Sequence, residues 1–225
     1  MKNKFLVSVG LLMALFTLSS FTDGPDSTNT YINGHEYVDL GLSSGTKWAT
    51  CNVGASKPEE YGGYYAWGET EEKDDYTWET YKWCDGDKFS LTKYCTNSRY
   101  GTVDNKTVLD PQDDVAHVKW GGTWRMPTIE EIRELREECT WRSGNHRGVN
   151  CYLVTGPNGK SIFLPAAGFR GGKEVNFRGS YGHYWSSSLD SDSWDYAFYL
   201  YFDRNFYNWY FNVRALGLSV RPVSK

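Results

Sequence analysis

Only one stretch of this chain carries a clear helical period, and this scarcity of helical signal constrains the fold more than any other feature. Ile129, Ile132 and Leu135 recur at helical spacing, and Thr128 with Glu131 forms a capping box that starts the helix. Most of the remaining chain consists of short β-type segments between turn residues. Few helices and many short strands predict an α+β domain with a mainly antiparallel sheet, two short helices and long irregular loops.

The second short helix is predicted over residues 115–120. Asp113 or Asp114 can cap its start, and Gly121 with Gly122 ends it. The charged residues of the longer helix are interpreted by default as a solvated surface. They are Glu130, Glu131, Arg133, Glu134, Arg136 and Glu137.

Strand-like composition between turn signals predicts the β-structure. Residues 36–40 and 47–52 are expected to form a hairpin around the turn at 43–45. Residues 61–100 show no sustained period and are interpreted as long loops held by aromatic side chains. Further strands are predicted at 150–155, 161–164, 184–188, 195–202, 206–212 and 218–223.

The N-terminus has the order of a secretory signal. Lys2 and Lys4 precede an uncharged run over residues 5–18, and the small residues Ser19 and Ser20 follow. We therefore predict a signal peptide at 1–20, a linker at 21–34 and a single domain at 35–225. An uncleaved anchor is the alternative. The protein is expected to be exported to the periplasm, the cell surface or the medium, with no membrane span after signal removal.

The net charge limits the classes of partner that the chain is expected to bind. The net charge of −4 disfavours binding to a phosphate backbone, so no nucleic-acid partner is expected.

Export would place the five cysteines in an oxidising compartment, and short loops favour the pairs Cys84–Cys95 and Cys139–Cys151. Cys51 is interpreted as a small buried residue. The cysteines and histidines lack zinc-ligand spacing, and no metal, cofactor or catalytic residue is predicted.

Several sequence strings occur in the order typical of one family. They are YVDLGLSSGTKWATCNVGA at 37–55, YAWGET at 65–70, WRMPT at 124–128, FLPAAG at 163–168, YWSSS at 184–188 and GLSVRPV at 217–223. In these strings the chain resembles the Fibrobacter succinogenes major paralogous domain family, which is abundant in exported proteins of gut Bacteroides-type bacteria. The resemblance implies a C-type-lectin-like fold, similar to the formylglycine-generating-enzyme group and to the variable proteins of diversity-generating retroelements.

The segment between the last two strings has the composition of a recognition surface. From residue 181 to residue 212 most positions are Tyr, Trp, Phe, Asp, Asn or Ser. Antibody loops favour these residues, because rigid aromatics give contact area and short polar side chains give adaptable hydrogen bonds. Alternation along the strand at 195–202 predicts Phe198, Leu200 and Phe202 on the core face and Tyr199 with Tyr201 on the ligand face.

The resulting candidate ligand-binding residues all lie between 181 and 212. They are Tyr181, His183, Asp190, Asp192, Trp194, Asp195, Tyr199, Tyr201, Asp203, Asn205, Tyr207, Asn208, Trp209, Tyr210 and Asn212.

The leading hypothesis is an exported, non-catalytic binding module whose face at 181–215 binds a protein or glycan at the cell surface. The resemblance to the retroelement variable proteins extends this to a diversified receptor or adhesin. The first alternative is a structural subunit of a surface fibre or envelope complex. The second is an enzyme related to the formylglycine generators, but the chain has no cysteine after Cys151 to supply the cysteine pair that those enzymes use.

Overall fold

A computed structural model describes residues 30–225 of the protein. It contains two α-helices, α1 (Val115–Trp120) and α2 (Ile129–Glu138), and two short 3-10 helices at Trp78–Thr80 and Pro111–Asp113. The strands are β1 (Thr30–Ile32), β2 (His35–Asp39), β3 (Lys47–Ala49), β4 (Thr140–His146), β5 (Val149–Thr155), β6 (Ser161–Pro165), β7 (Phe169–Gly171), β8 (Glu174–Asn176), β9 (Gly182–Leu189), β10 (Tyr196–Phe202), β11 (Tyr207–Val213) and β12 (Val223–Ser224).

These strands form four antiparallel sheets within the described residues. The spatial orders are β1-β2-β3-β12, β4-β5-β6, β11-β10-β9 and β7-β8. The sequence-based expectation of an α+β fold dominated by antiparallel sheet is therefore confirmed. No helix within residues 30–225 is long and apolar enough to span a bilayer.

Both predicted helices form where their capping signals place them. The carboxylate of Asp114 accepts the N–H groups of Ala116 and His117, and Gly121 ends α1 with a positive φ of 66°. Thr128 and Glu131 form the predicted capping box of α2. The prediction that Glu131 is solvated is wrong. Its carboxylate is buried because it also pairs with the guanidinium of Arg125.

All of the predicted strands except one are found. The hairpin of β2 and β3 is confirmed, with Val38 paired to Trp48. The predicted strand at 218–223 is instead an irregular segment joined by isolated bridges, and only Val223 and Ser224 form β12. β4 was not predicted, since its sequence TWRSGNH is polar and contains glycine.

The domain begins before the predicted boundary. Residues 30–34, expected to be linker, form β1 and its turn, and Ile32 accepts a hydrogen bond from the indole N–H of Trp124. The predicted signal peptide at 1–20 and residues 21–29 of the predicted linker lie outside the described residues.

Buried aromatics hold the irregular region at 61–100, as predicted. The hydroxyl of Tyr81 donates to the carbonyl of Trp67 at 2.7 Å, and the indole of Trp83 donates to the carbonyl of Gly68 at 2.7 Å. Trp67 in turn donates its indole N–H to the carbonyl of Ser186 in β9 at 2.8 Å. The loops are thereby attached to the sheet that carries the predicted binding segment.

The sheet β11-β10-β9 separates the two largest clusters of the core. One face packs Leu200 and Phe202 together with Ile132 of α2. The opposite face packs Trp185 and Tyr199 with residues of the 61–100 region and α1. The sheet is therefore covered over much of both faces, and this limits where a ligand can reach it.

Neither predicted disulfide is formed, and all five cysteines are free. The thiol of Cys84 lies 3.0 Å from the carbonyl of Trp78, and that of Cys95 lies 3.1 Å from the carbonyl of Asn97.

For the second pair the reason is the register of β4 and β5. Gly144 lies opposite Cys151, and Cys139 precedes β4 by one residue, near the far end of the hairpin. Five residues of strand span about 17 Å, whereas a disulfide needs Cα atoms within about 7 Å. The predicted pairing of Cys139 with Cys151 is therefore wrong.

Candidate functional site

Two of the predicted ligand-binding residues form part of the core. His183 is 4% exposed and Tyr199 is 8% exposed, and their rings stack with centroids 5.3 Å apart. The alternation of side chains along β10 correctly predicts that Tyr199 and Leu200 lie on opposite faces of the sheet. The face that carries Tyr199 is nevertheless covered by a second cluster of the core. Burial lowers the pKa of His183 to about 4, so its imidazole is neutral at pH 7.

Tyr207 and Trp209 belong to the α2 side of the sheet rather than to the ligand face. Trp209 lies directly opposite Leu200, and residues paired in this way point to the same face. The Tyr207 ring stacks on Trp141 with centroids 4.7 Å apart, and the guanidinium of Arg133 lies 4.5 Å from the Trp209 ring. The hairpin register thus places both partly buried rings over the α2 side of the core, on the opposite face from Tyr199 and Tyr201.

The hydrogen bonds at the two ends of the β10–β11 pair show which residues of β11 direct their N–H groups toward β10. The N–H of Asp203 donates to the carbonyl of Phe206, and the N–H of Arg214 donates to the carbonyl of Asp195. Hydrogen-bonded and non-hydrogen-bonded pairs alternate between these two ends. The odd-numbered residues of β11 therefore direct their N–H groups away from β10, toward the outer edge of the sheet.

Asn208 and Asn212 cover part of this outer edge. The side-chain Oδ1 of Asn208 accepts the N–H of Trp209 at 2.9 Å, and that of Asn212 accepts the N–H of Val213 at 2.9 Å. Both N–H groups are ones that the ladder directs outward. The two asparagines thus satisfy edge amides, a role that sequence reasoning did not assign to them.

The predicted residues at 190–195 lie near the opposite end of the hairpin from the 203–206 turn. The Trp194 ring stacks on Tyr100 with centroids 4.1 Å apart, and Asp195 forms an ion pair with Lys88 at 3.7 Å. Asp190 is buried, and its Oδ1 accepts the N–H of Asp192 at 3.2 Å. These residues attach the 85–100 loop and shape their own turn.

Tyr181, Tyr201 and Tyr210 remain accessible and form a continuous group with two phenylalanines. Tyr201 contacts Tyr181 and Tyr210, with ring centroids 5.7 Å and 5.8 Å apart. Phe177 stacks on Tyr181 at 4.7 Å, and Phe206 lies 6.4 Å from Tyr210. Phe177, Phe206 and Tyr210 are 53%, 43% and 41% exposed. We call these five residues the aromatic rim.

A cleft of about 710 Å³ opens beside the rim and shares Tyr181 with it. Its walls come from the β4–β5 hairpin, the turn at 179–181 and the turn that joins β10 to β11. The lining residues are Ser143, Gly144, Asn145, Asn150, Cys151, Tyr152, Ala166, Gly179, Ser180, Tyr181, Phe202, Asp203, Arg204 and Asn205. Of the predicted residues, Tyr181, Asp203 and Asn205 meet in this cleft.

The β10–β11 turn is held rigidly by Asp203. One carboxylate oxygen accepts the N–H groups of Asn205 and Phe206 at 2.8 Å and 3.0 Å, and the other accepts the hydroxyl of Tyr201 at 3.1 Å. An aspartate that caps its own turn in this way fixes the backbone around it. The turn therefore presents the side chains of Arg204 and Asn205 from a fixed position.

The opposite wall is joined by a chain of side-chain hydrogen bonds. Asn145 Nδ2 donates to Asn150 Oδ1 at 3.2 Å, and Asn150 Nδ2 donates to the carbonyl of Gly179 at 2.8 Å. The same Asn145 accepts the N–H of Gly148 in the hairpin turn at 2.8 Å. The β4–β5 hairpin and the turn before Tyr181 are thus held together, and the cleft is largely formed before any ligand enters.

The polar side chains of the cleft differ in how many hydrogen bonds and ion pairs they already make within the protein. The Asp203 carboxylate accepts three hydrogen bonds. Among residues 30–225, no hydrogen bond or ion pair uses the side chains of Ser180, Arg204 or Asn205. Burial raises the pKa of the Cys151 thiol to about 11, so this sulfur is protonated at neutral pH and a weak nucleophile.

Metal ligands do not converge in this part of the protein. Within the described chain, no group of three or more His, Cys, Asp or Glu side chains is placed to hold a metal ion.

Phe177, Phe206 and the β4–β5 residues of the cleft were missed from sequence. Phe177 lies outside the segment that composition singled out, and Phe206 was assigned to the strand without a role. For the β4–β5 hairpin the sequence does carry a local turn signal, the glycine Gly148. In the structure Arg147 and Gly148 form the turn with positive φ angles of 48° and 88°. Nothing local indicated that this hairpin would lie against the 203–205 turn.

One comparison with known proteins gave a match. A family model described as a domain of unknown function (DUF8237) matches residues 99–223, more than half of the 225 residues. The matched segment includes every residue that lines the cleft and all five residues of the aromatic rim. No curated protein and no solved structure gave a significant match.

Proposed function

The chain belongs to the DUF8237 family, and we propose that it is a non-catalytic binding module whose ligand occupies the cleft and contacts the aromatic rim. Export to the periplasm, the cell surface or the medium is part of the proposal, as is a C-type-lectin-like fold. The signal-like N-terminus supports export. The family-typical strings and the mainly antiparallel α+β architecture support the fold.

The observation that carries the proposal is a continuous, exposed aromatic group beside a preformed polar cleft. Soluble proteins seldom leave large apolar side chains clustered at the surface without a partner. Here Phe177, Phe206 and Tyr210 are exposed side chains within one connected group, and the group shares Tyr181 with the cleft. Concave sites with a few fixed polar groups are the usual form of ligand pockets.

Backbone strain at the rim gives independent support. Phe177 has a φ of 55°, a left-handed conformation that bulky residues seldom adopt. Its carbonyl accepts the N–H groups of Ser180 and Tyr181 at 3.0 Å each, so the strained residue shapes the turn that presents Tyr181. Strain of this kind concentrates at functional sites, where the surrounding structure maintains it.

The chemistry of the cleft favours binding over catalysis. A general base or nucleophile needs an accessible, reactive group. The Asp203 carboxylate is occupied by three hydrogen bonds, and burial keeps the thiol of Cys151 protonated. The side chains of Ser180, Arg204 and Asn205 make no hydrogen bond among residues 30–225, so the Ser180 hydroxyl has no neighbouring base to activate it.

The experiment is to screen the purified protein against an immobilised glycan library and a displayed peptide library. Binders are then titrated against Tyr181→Ala combined with Tyr210→Ala, with Tyr31→Ala as the matched control. Tyr31 is an exposed tyrosine of β1, in a different sheet. We expect the double variant to bind at least about tenfold more weakly, since aromatic anchors contribute most of the energy in such sites. The control should bind like the wild type.

Thermal unfolding of all three proteins shows whether the substitutions only unfold the domain. Tyr199→Ala is unsuitable for this test, because Tyr199 is buried and its loss would destabilise the fold. The proposal fails if neither library yields a binder, or if a folded double variant binds as tightly as the wild type.

A further inference from the structure

The lining of the cleft indicates what chemical class of ligand it accepts, and this inference rests on the proposed binding function. We propose that the cleft binds a neutral sugar, of the size of a monosaccharide or disaccharide, with one face of a pyranose ring on Tyr181. In this proposal the sugar is bound directly by protein side chains, since no group of three or more His, Cys, Asp or Glu in the described part of the chain is placed to hold a metal ion.

Size and shape favour a small ligand over a protein surface. The cleft volume of about 710 Å³ lies within the range of roughly 300–1,000 Å³ that small-ligand sites occupy. Protein partners instead bury about 800 Å² on each side, over a flatter surface. A concave site between two turns and a hairpin admits a compact ligand or the end of a chain.

Charge favours a neutral ligand. Asp203 and Arg204 are the only formally charged residues of the lining, and their charges cancel. The carboxylate also accepts three internal hydrogen bonds, two from the N–H groups of its own turn and one from the hydroxyl of Tyr201. With one residue of each sign, the lining has no net charge that would select an anion or a cation.

The uncommitted polar groups match a ring that carries several hydroxyls. The Asn205 amide provides two donors and an acceptor, the Ser180 hydroxyl provides a donor and acceptors, and Arg204 provides donors only. Sugar hydroxyls donate and accept, so they can satisfy all three side chains at once. A purely apolar ligand would leave these groups unpaired, at a cost in affinity.

Tyr181 supplies the apolar component that a sugar also needs. The C–H groups on one face of a pyranose form a small apolar surface that packs on an aromatic ring. Phe177 stacks on the Tyr181 ring and Tyr201 contacts it edge-on, with centroids 4.7 Å and 5.7 Å away, and these contacts hold the ring in place. Sugar recognition therefore combines one fixed aromatic with the polar groups of the same cleft, the hydroxyl of the neighbouring Ser180 and the amide of Asn205 in the β10–β11 turn.

Saturation-transfer difference NMR on the purified protein tests the proposal directly. The neutral probes are the methyl glycosides of glucose, galactose, mannose and N-acetylglucosamine, together with lactose and cellobiose. Glucuronic acid and sialic acid serve as anionic probes. We expect transfer to the ring protons of at least one neutral probe and at least tenfold weaker binding by Tyr181→Ala and by Asn205→Ala.

Two further variants separate binding from folding. Tyr181→Phe retains the ring and should keep most of the affinity, whereas Tyr31→Ala should leave it unchanged. The Asn205 side chain makes no internal hydrogen bond within residues 30–225, so its removal should not alter the melting temperature.

The outcomes separate this inference from the proposed function. Transfer only to the anionic probes, transfer that survives in Tyr181→Ala, or no transfer to any sugar would overturn the neutral-sugar assignment. If peptides from the displayed library still bind through the rim in those cases, the binding function stands and only the ligand class is wrong. If no sugar and no library member binds, both proposals fail.

Discussion

His183 links ionisation to stability more directly than any other residue of the binding segment. Its ring packs 5.3 Å from that of Tyr199 and 5.0 Å from that of Phe169, and its Nδ1 is buried without a hydrogen-bond partner. Burial disfavours the charged form and lowers the pKa of His183 from 6.5 to about 4. The unfolded chain therefore binds a proton at a pH where the folded protein does not.

We predict that the stability contributed by neutral His183 is complete above pH 6.5 and is lost as the pH falls from 6.5 toward 4. Between pH 7.5 and pH 5.0 the wild type should lose about 2 kcal/mol more unfolding free energy than His183→Phe, which has no titrating group. Urea unfolding at both pH values, followed by tryptophan fluorescence, measures the difference. The same loss in both proteins would show that His183 is not buried in its neutral form.

At the scale of the element, β11 is an outer strand whose exposed edge is partly closed by its own asparagines. An open edge with free N–H groups is a template for pairing with another chain. Asn208 and Asn212 accept two of the outward N–H groups, those of Trp209 and Val213. A strand protected in this way is poorly suited to edge-to-edge polymerisation, so this edge does not favour the role of a fibre subunit.

We predict that Asn208→Val combined with Asn212→Val increases self-association relative to the wild type. Valine removes both acceptors and raises β-propensity, leaving the edge amides free to pair with another strand. Sedimentation velocity over micromolar to millimolar concentrations detects the larger species. Replacing both asparagines by aspartate keeps an acceptor at each position and is the control, expected to sediment like the wild type. If the valine variant also sediments unchanged, the asparagines do not protect the edge.

At the scale of the whole molecule, buried arginines near the C-terminus connect parts of the chain that are distant in sequence. Arg221 donates from Nε to Oδ1 of Asn52 at 2.8 Å and from Nη1 to the carbonyls of Ala49 and Thr50 at 3.0 Å and 2.9 Å. These acceptors lie more than 160 residues earlier in the chain. Arg221 therefore joins the C-terminal segment to the end of β3.

Arg214 has a similar role for the irregular region. Its Nη1 donates to the carbonyl of Tyr94 at 2.9 Å, and its guanidinium lies 5.6 Å from the centroids of both Trp67 and Tyr81. The side chain is fully buried, so cation–π contacts act in surroundings where water does not weaken them. The loops at 61–100 are thus fastened to the residue that follows β11.

We predict that Arg221→Met lowers the free energy of unfolding by about 3–5 kcal/mol, because it leaves three acceptors without their donor, at about 1–3 kcal/mol each. Arg99→Met is the matched control at an exposed position and should change stability by less than about 0.5 kcal/mol. Urea unfolding of the three proteins gives the values. A loss below about 1 kcal/mol in Arg221→Met would mean that the C-terminal segment is held mainly by apolar packing.

Local signals were sufficient for the elements that are formed by short-range interactions. Asp114, Thr128 and Glu131 cap the two helices by bonds within a few residues, and the β2–β3 hairpin follows from its turn. The polar strand β4 could not be predicted from composition, since its place depends on pairing with β5. The segment at 218–223 has strand-like residues, but its pairing partner changes from residue to residue: Leu218 bridges to Tyr65, Ser219 to Tyr184 of β9, and Val223 pairs with β3.

The sequence by itself determined the helix caps, the α+β character and the segment whose composition resembles a recognition surface. Tertiary structure alone decided which of those residues a ligand can reach. Alternation assigns side chains to one face or the other, but packing decides whether a face is covered, and Tyr199 is covered whereas Tyr210 is exposed. The cleft joins Asn150 to Asn205 across 55 positions, and only long-range contacts can bring such residues together.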